Sequence, residues 1–116
     1  VKATILIVDD ETFVLEEMTE AFEDEGYRVM SASDMAGALA ILEAGPVDLL
    51  VTDLKMPGGS GIELYRRAPT PAPPAILLSG HGADSNRIEA MAAGFSECLA
   101  KPVDLDDLLA VIDSLV

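Results

Sequence analysis

The sequence predicts a doubly wound α/β fold: five parallel strands in the order 2-1-3-4-5, with helices on both faces. Three observations predict it. Apolar runs at Ile5-Leu6-Ile7-Val8, Leu49-Leu50-Val51-Thr52, Ala75-Ile76-Leu77-Leu78 and Cys98-Leu99-Ala100 are too short for helices and read as buried strands. Segments of helical spacing separate them, and parallel strands joined in this way need right-handed crossovers. Each run also stops at a polar residue, in turn Asp9-Asp10, Asp53, Ser79 and Lys101. In a parallel sheet those ends share one edge, and the reversal of strand order sets the first and third side by side, so that Asp9, Asp10 and Asp53 converge.

The first strand runs from Thr4 to Val8, and Asp9 and Asp10 lead into a helix reaching about Glu25. Phe13, Val14, Met18, Ala21 and Phe22 recur there at helical spacing, and Gly26 stops the helix. Tyr27 to Ala32 is a more polar strand suited to an edge. Ser33 is placed to cap a helix from Asp34 to Ala44 that turns Ala38, Leu39 and Leu42 inward, before Gly45-Pro46 leads to the Asp53 strand. Met56-Pro57-Gly58-Gly59-Ser60-Gly61 reads as a turn-rich loop, and Ile62 to Arg67 as a short helix ended by Pro69. Pro69 to Pro74 is a stiff connector, too short to divide domains because strand sequence resumes at Ala75. Gly80-His81-Gly82 forms a flexible loop, Asp84 to Ala93 a helix stopped by Gly94, and Asp104 caps a last helix carrying Leu105, Leu108, Leu109, Ile112 and Leu115.

A chain of 116 residues suits one domain, 1–116, with a real core. The single cysteine, Cys98, excludes an internal disulfide, and no run of 18 or more apolar residues is present to span a bilayer. A cytoplasmic protein without a secretory signal is expected, and the missing initiator Met suggests a segment of something longer. Seven Lys plus Arg against 21 Asp plus Glu, a formal net charge of −14, argue against direct nucleic-acid binding, which rests on Lys and Arg. Partners should be proteins or cations. Most of the acids read as solvated helix faces; Asp9, Asp10 and Asp53 ask for more.

The Asp9-Asp10 pair, the Asp53 segment with Met56-Pro57-Gly58 and Gly61, Ser79, and Lys101-Pro102 resemble, in order and spacing, the receiver domain of bacterial response regulators, with its flavodoxin-like (βα)5 fold. The likeness covers essentially the whole chain. It implies that Asp53 is the phosphoacceptor, that Asp9, Asp10, Asp53 and the Lys55 backbone carbonyl hold Mg²⁺, and that Ser79 and Lys101 engage the phosphoryl group. It further implies a phosphorylatable two-component or phosphorelay switch rather than an enzyme. A histidine kinase or histidine phosphotransfer protein would be the donor. An output protein or domain would bind the face of helix 84–93, strand 97–100 and helix 105–115, with a phosphorylation-dependent homodimer on the same face.

These residue types suit that chemistry. A carboxylate attacking phosphorus approaches another anion, so catalysis is chiefly positioning and charge neutralisation. Mg²⁺ is a hard cation that prefers oxygen ligands and keeps waters, which matches an open carboxylate site. Three carboxylates, one divalent cation and one ammonium sum to zero, and phosphorylation of Asp53 adds about one negative charge that Ser79 can move to meet. Ser79 read blandly only caps a loop.

One position departs from the family pattern. Three residues before Lys101, where an aromatic commonly reports the phosphorylated state, stands Cys98, which reads as a small buried thiol; Phe95 lies outside the strand register. His81 reads as a loop residue, since Mg²⁺ disfavours imidazole. With Lys55 it stands over the path of attacking water if the loops follow the family, which predicts slow self-dephosphorylation. Other classes fit less well. A haloacid-dehalogenase-type phosphatase wants a second acid where Lys55 stands, and a flavodoxin-like nucleotide binder would find Asp9-Asp10-Glu11 repelling its phosphate. A receiver-like module that binds its partner without phosphorylation is the third alternative; the intact set of acids, hydroxyl and lysine argues against it, and Cys98 keeps it open.

Overall fold

The computed structural model describes residues 2–80 and 83–116. Among the described residues, seven strands and five helices follow in the order β1 (Thr4–Val8), α1 (Thr12–Asp24), β2 (Arg28–Ala32), α2 (Met35–Ala44), β3 (Leu49–Asp53), β4 (Lys55–Met56), β5 (Gly59–Ser60), α3 (Gly61–Arg67), β6 (Ala75–Ser79), α4 (Ala83–Ala93), β7 (Glu97–Ala100) and α5 (Leu105–Leu115). The long strands form one sheet in the order β2-β1-β3-β6-β7, every pairing parallel, which is the predicted 2-1-3-4-5 once the two-residue strands are set aside. Those two, β4 and β5, make a small antiparallel hairpin in the segment expected to be loop, with Lys55 opposite Ser60.

Alternation along each strand sorts the core into two layers. Ile5, Ile7, Leu49, Val51, Ile76 and Leu78 pack with Met18 and Phe22 of α1 and Leu108 and Ile112 of α5. Their neighbours Leu6, Val8, Leu50, Ala75, Leu77 and Cys98 pack on the opposite face with Ala38 and Leu42 of α2, Ile62 and Leu64 of α3, and Ala90 of α4. Both faces are covered, so β1, β3 and β6 are buried almost from end to end and mostly apolar, as expected of a central parallel strand. Each fully buried Leu or Ile contributes about 1.5–3 kcal/mol. Edge strand β2 has the expected polar character, with Arg28, Met30 and Ser31 exposed.

Two local expectations are corrected. Phe13 is 71 % exposed: it lies nine residues before buried Phe22, about half a turn away around the helix, so its apolar character does not place it on the core face. The α2 cap is Asp34, whose side chain accepts from Gly37 N at 2.7 Å; Ser33 precedes the position from which a side chain reaches those amides. Asp104 caps α5 as expected, accepting from the amides of Asp106 and Asp107.

At the end of the sheet remote from the carboxylates, buried Tyr27 donates its hydroxyl to Asp113 of α5, and the Lys2 ammonium lies 5.0 Å from the ring centroid. Burial, the hydrogen bond to Asp113 and the negative charges of Asp113 and Glu25 push the Tyr27 phenol up to about 12. Because the folded pKa is raised, its stabilisation is complete below the ordinary phenol value and is lost as pH climbs through about 12. Tyr27→Phe is expected to cost about 1 kcal/mol at neutral pH. It should also remove part of the stability loss between pH about 10 and about 12; denaturant midpoints across that range provide the check, and parallel curves for both proteins would contradict the assignment.

Candidate functional site

The sheet register brings the site together. Leu78 pairs with Asp53 and Ala100 with Ser79, so Asp53, Ser79 and Lys101 are each set one residue further along the carboxyl edge than the last. By alternation, Asp9 continues the side of Ile5 and Ile7, Asp53 that of Leu49 and Val51, and Lys101 that of Leu99, all on the α1 and α5 face. Ser79 continues the side of Ala75 and Leu77, toward α4. Asp9, Asp53 and Lys101 therefore share one side of the pleat, and the Ser79 hydroxyl occupies the other.

Asp9, Asp10 and Asp53 each offer an oxygen, and these oxygens lie within 4.8 Å of one another. Lys101 Nζ stands 3.1 Å from Asp9 Oδ2 and 3.2 Å from Asp53 Oδ2. Asp9 is 2 % exposed, and its other oxygen accepts from Glu11 N at 2.9 Å, so the buried carboxylate is bound on both sides. Asp10 is exposed, and Asp53 is intermediate. Burial raises the Asp53 pKa, the Lys101 charge and hydrogen bond oppose it, and Asp9 pushes it further up. Burial would lower the Lys101 pKa, but the hydrogen bond to Asp9 and the charges of Asp53 and Asp9 hold it above the usual lysine value.

Around this group the backbone is close-packed. Leu54 N donates to Leu78 O at 3.0 Å and Gly61 N to Leu54 O at 2.7 Å, which fixes the chain just beyond Asp53. A Cβ on Gly61 would fall 2.4 Å from the Asp53 carbonyl oxygen and 2.9 Å from Thr52 Cγ2, so only glycine lets α3 start this close to β3. Asp53, Leu54, Lys55, Gly80 and Lys101 line a cavity of about 220 Å³, with Lys55 exposed at its rim. A larger groove of about 490 Å³ shares Gly80 and Lys101 with it and continues between α1 and α5 along Val14, Met18 and Leu105.

The structure thus gathers Asp9, Asp10, Asp53 and Lys101, and it sets Ser79, fully buried, on the neighbouring strand end. His81 lies outside the described residues. Cys98 is buried and free, its thiol pushed up by burial, with Arg87 opposing and Glu97 adding to the shift. Phe95 lies before β7, as the register expected, and packs on Tyr65 with ring centroids 4.7 Å apart. Sequence reasoning missed Asn86, whose Nδ2 donates to Ser79 Oγ at 2.6 Å, and Arg87, which donates to the Cys98 carbonyl at 3.1 Å. Neither belongs to a motif, and no spacing pointed to either.

Fold and site together define an open α/β domain whose strand ends assemble an acidic, oxygen-rich site closed on one side by an ammonium. Residues 5–113 match the model of the response regulator receiver domain, and the chain belongs to that family. It is 37 % identical to the crystal structure of a response regulator receiver domain protein from Clostridium thermocellum, covering 97 % of this chain and 93 % of that one with a TM-score of 0.90. A CheY-like receiver domain protein from Methanospirillum hungatei is 33 % identical with a TM-score of 0.91, covering 97 % of this chain and 91 % of that one. Among curated relatives, the phosphate regulon transcriptional regulatory protein PhoB of Pseudomonas aeruginosa is 34 % identical over 97 % of this chain, and the transcriptional regulatory protein GlrR of Escherichia coli is 34 % identical over 96 %. The chain spans 51 % and 26 % of the length of those two relatives. Receiver domains are signalling switches of two-component systems that interact with histidine kinases and output domains, and phosphorylation and Mg²⁺ are typical of the family. No helix of the described residues is long and apolar enough to cross a membrane.

Proposed function

We propose that this chain is a switch that accepts a phosphoryl group on Asp53 from a phosphohistidine donor, a histidine kinase or phosphotransfer protein, and changes its affinity for an output partner. The observation that carries this reading is the convergence of the Asp9, Asp10 and Asp53 oxygens within 4.8 Å beside the Lys101 ammonium. Three carboxylates at an open edge fit Mg²⁺, which Asp9, Asp10 and Asp53 would hold with the Lys55 carbonyl as a fourth ligand. A bound Mg²⁺ supplies the positive charge that lets one anion approach another.

An Asp53 oxygen attacks phosphorus in line, the new O–P bond forms as the P–N bond of the donor breaks, and the departing imidazole nitrogen keeps the electron pair and takes a proton from solvent. Lys101 bridges Asp53 and Asp9, offsetting their mutual repulsion, and offers its ammonium to the incoming oxygens. Ser79 donates its hydroxyl to a phosphoryl oxygen, at the cost of its position beside α4. Output partners, or a second copy of the chain, are read onto α4, β7 and α5, where Ile88 and Met91 of α4 are exposed apolar side chains.

The metal dependence tests this reading. In the presence of Mg²⁺, acetyl phosphate or beryllofluoride should add one adduct, located by peptide mass at Asp53, and EDTA should abolish it. Asp10→Ala should weaken the Mg²⁺ requirement's midpoint by at least about tenfold, since one carboxylate of a Mg²⁺ site is lost. Labelling that ignores EDTA would overturn the metal assignment.

A further inference from the structure

Asn86 stands on the first turns of α4, and its amide reaches the one hydroxyl of the strand-end site, donating to Ser79 Oγ at 2.6 Å. We propose that Asn86 is the positioning residue that keeps the Ser79 proton available to an anion at Asp53 and carries the displacement of Ser79 into α4. The proposal rests on the reading that Ser79 answers the phosphoryl group.

A hydroxyl has one proton and two lone pairs. With an Asn86 N–H filling one lone pair, the Ser79 proton cannot point at that amide and is directed elsewhere. The Ser79 carbonyl is already committed to Lys101 N at 2.9 Å, so the side chain is the part of the residue free to respond. Because the pleat sets Ser79 on the α4 side and Asp53 on the other, a hydroxyl that moves to meet a phosphoryl oxygen must draw Asn86 with it or break the 2.6 Å bond. Either outcome acts on α4.

The adjacent residue holds α4 at a second point. Arg87 donates to the Cys98 carbonyl at 3.1 Å and lies 3.6 Å from Glu97, which ties the same turn of α4 to β7. Asn86 moving against that anchor shifts the helix that presents Ile88 and Met91. The path uses only hydrogen bonds, and it runs past Cys98, where no aromatic side chain is present to turn.

Asn86→Asp separates this role from a structural one. The substitution is nearly isosteric, replaces a donor by acceptors, and places an acid near a helix N-terminus, where it is well tolerated. With Mg²⁺ and beryllofluoride, the variant should form the Asp53 adduct to within about twofold of the parent yet lose most of the amide shift change at Ile88 and Met91. Asn86→Gln, which keeps the amide donor, should recover part of that change, and Asn86→Ala, which removes the donor without adding charge, should lose it as Asn86→Asp does and serves in its place if the acidic variant does not fold. Ser79→Ala is the companion measurement. A parent-like α4 response in Ser79→Ala would overturn the reading of Ser79; loss in Ser79→Ala with a parent-like response in Asn86→Asp and Asn86→Ala would overturn the role of Asn86 alone.

Discussion

Asp53→Asn should take up no phosphoryl group and form no beryllofluoride adduct, a fall of at least about 100-fold in labelling against the parent. The amide fills nearly the same volume beside Lys101, whose ammonium lies 3.2 Å from the present carboxylate, but its oxygen is no nucleophile and it carries no charge to pair with that ammonium or with a metal ion. Asp9 cannot substitute for it: that carboxylate is 2 % exposed and bound by Lys101 and by Glu11 N, so no donor reaches it in line. Asp10 is exposed but two residues beyond β1, where labelling would not place charge beside Ser79. Intact mass after exposure to acetyl phosphate and Mg²⁺ decides the matter. Unchanged labelling of Asp53→Asn would sink the phosphoacceptor assignment, and partner binding that is equal with and without label would favour a module that works unphosphorylated.

Lys101→Ala should separate stability, labelling and response. The ammonium is the charge that lies against both Asp9 and Asp53, so its loss leaves a buried carboxylate facing two others. Removing one partner of a fully buried pair costs about 3–5 kcal/mol, and with Lys101 24 % exposed a loss of about 2 kcal/mol in EDTA is expected. The raised Lys101 pKa gives the sign of the pH dependence: its contribution is fully present below the ordinary lysine value and is lost only as pH rises through the higher folded value. Mg²⁺ should restore much of the loss by replacing the missing charge. Labelling of Asp53 should survive while the amide shifts of α4 and α5 on beryllofluoride binding shrink, because Lys101 acts on the product charge. A variant as stable as the parent in EDTA, and unaffected by Mg²⁺, would show that the ion pairs seen here carry little.

The five strands of the parallel sheet, the helices and the acids at the strand ends were legible in the sequence because each is a local signal, whereas the short β4–β5 hairpin lay in a segment that read as loop. An apolar run ending on Asp53, a glycine at Gly26 and Gly94 beyond a helix, and Asp104 before α5 all state their own structure through burial, positive φ and capping. Topology followed from the same alternation, and with it the meeting of Asp9, Asp10 and Asp53. Phe13 and Ser33 were misplaced where a local signal is degenerate, since an apolar residue or a hydroxyl one position away reads almost the same.

Tertiary structure alone decided which groups touch. Lys101 pairs with Asp9 across 92 residues of chain separation, and it also meets Asp53; nothing in either neighbourhood specifies that the ammonium would bridge them. Asn86 meets Ser79 because β6 ends on the α4 side of the pleat, and Arg87 reaches the Cys98 carbonyl because α4 packs along β7. Sequence determines the character of each strand end, since backbone hydrogen bonding and burial act over a few residues. Contacts between side chains depend on the register of strands far apart in the chain and on the packing of helices across them, and only the folded sheet sets both.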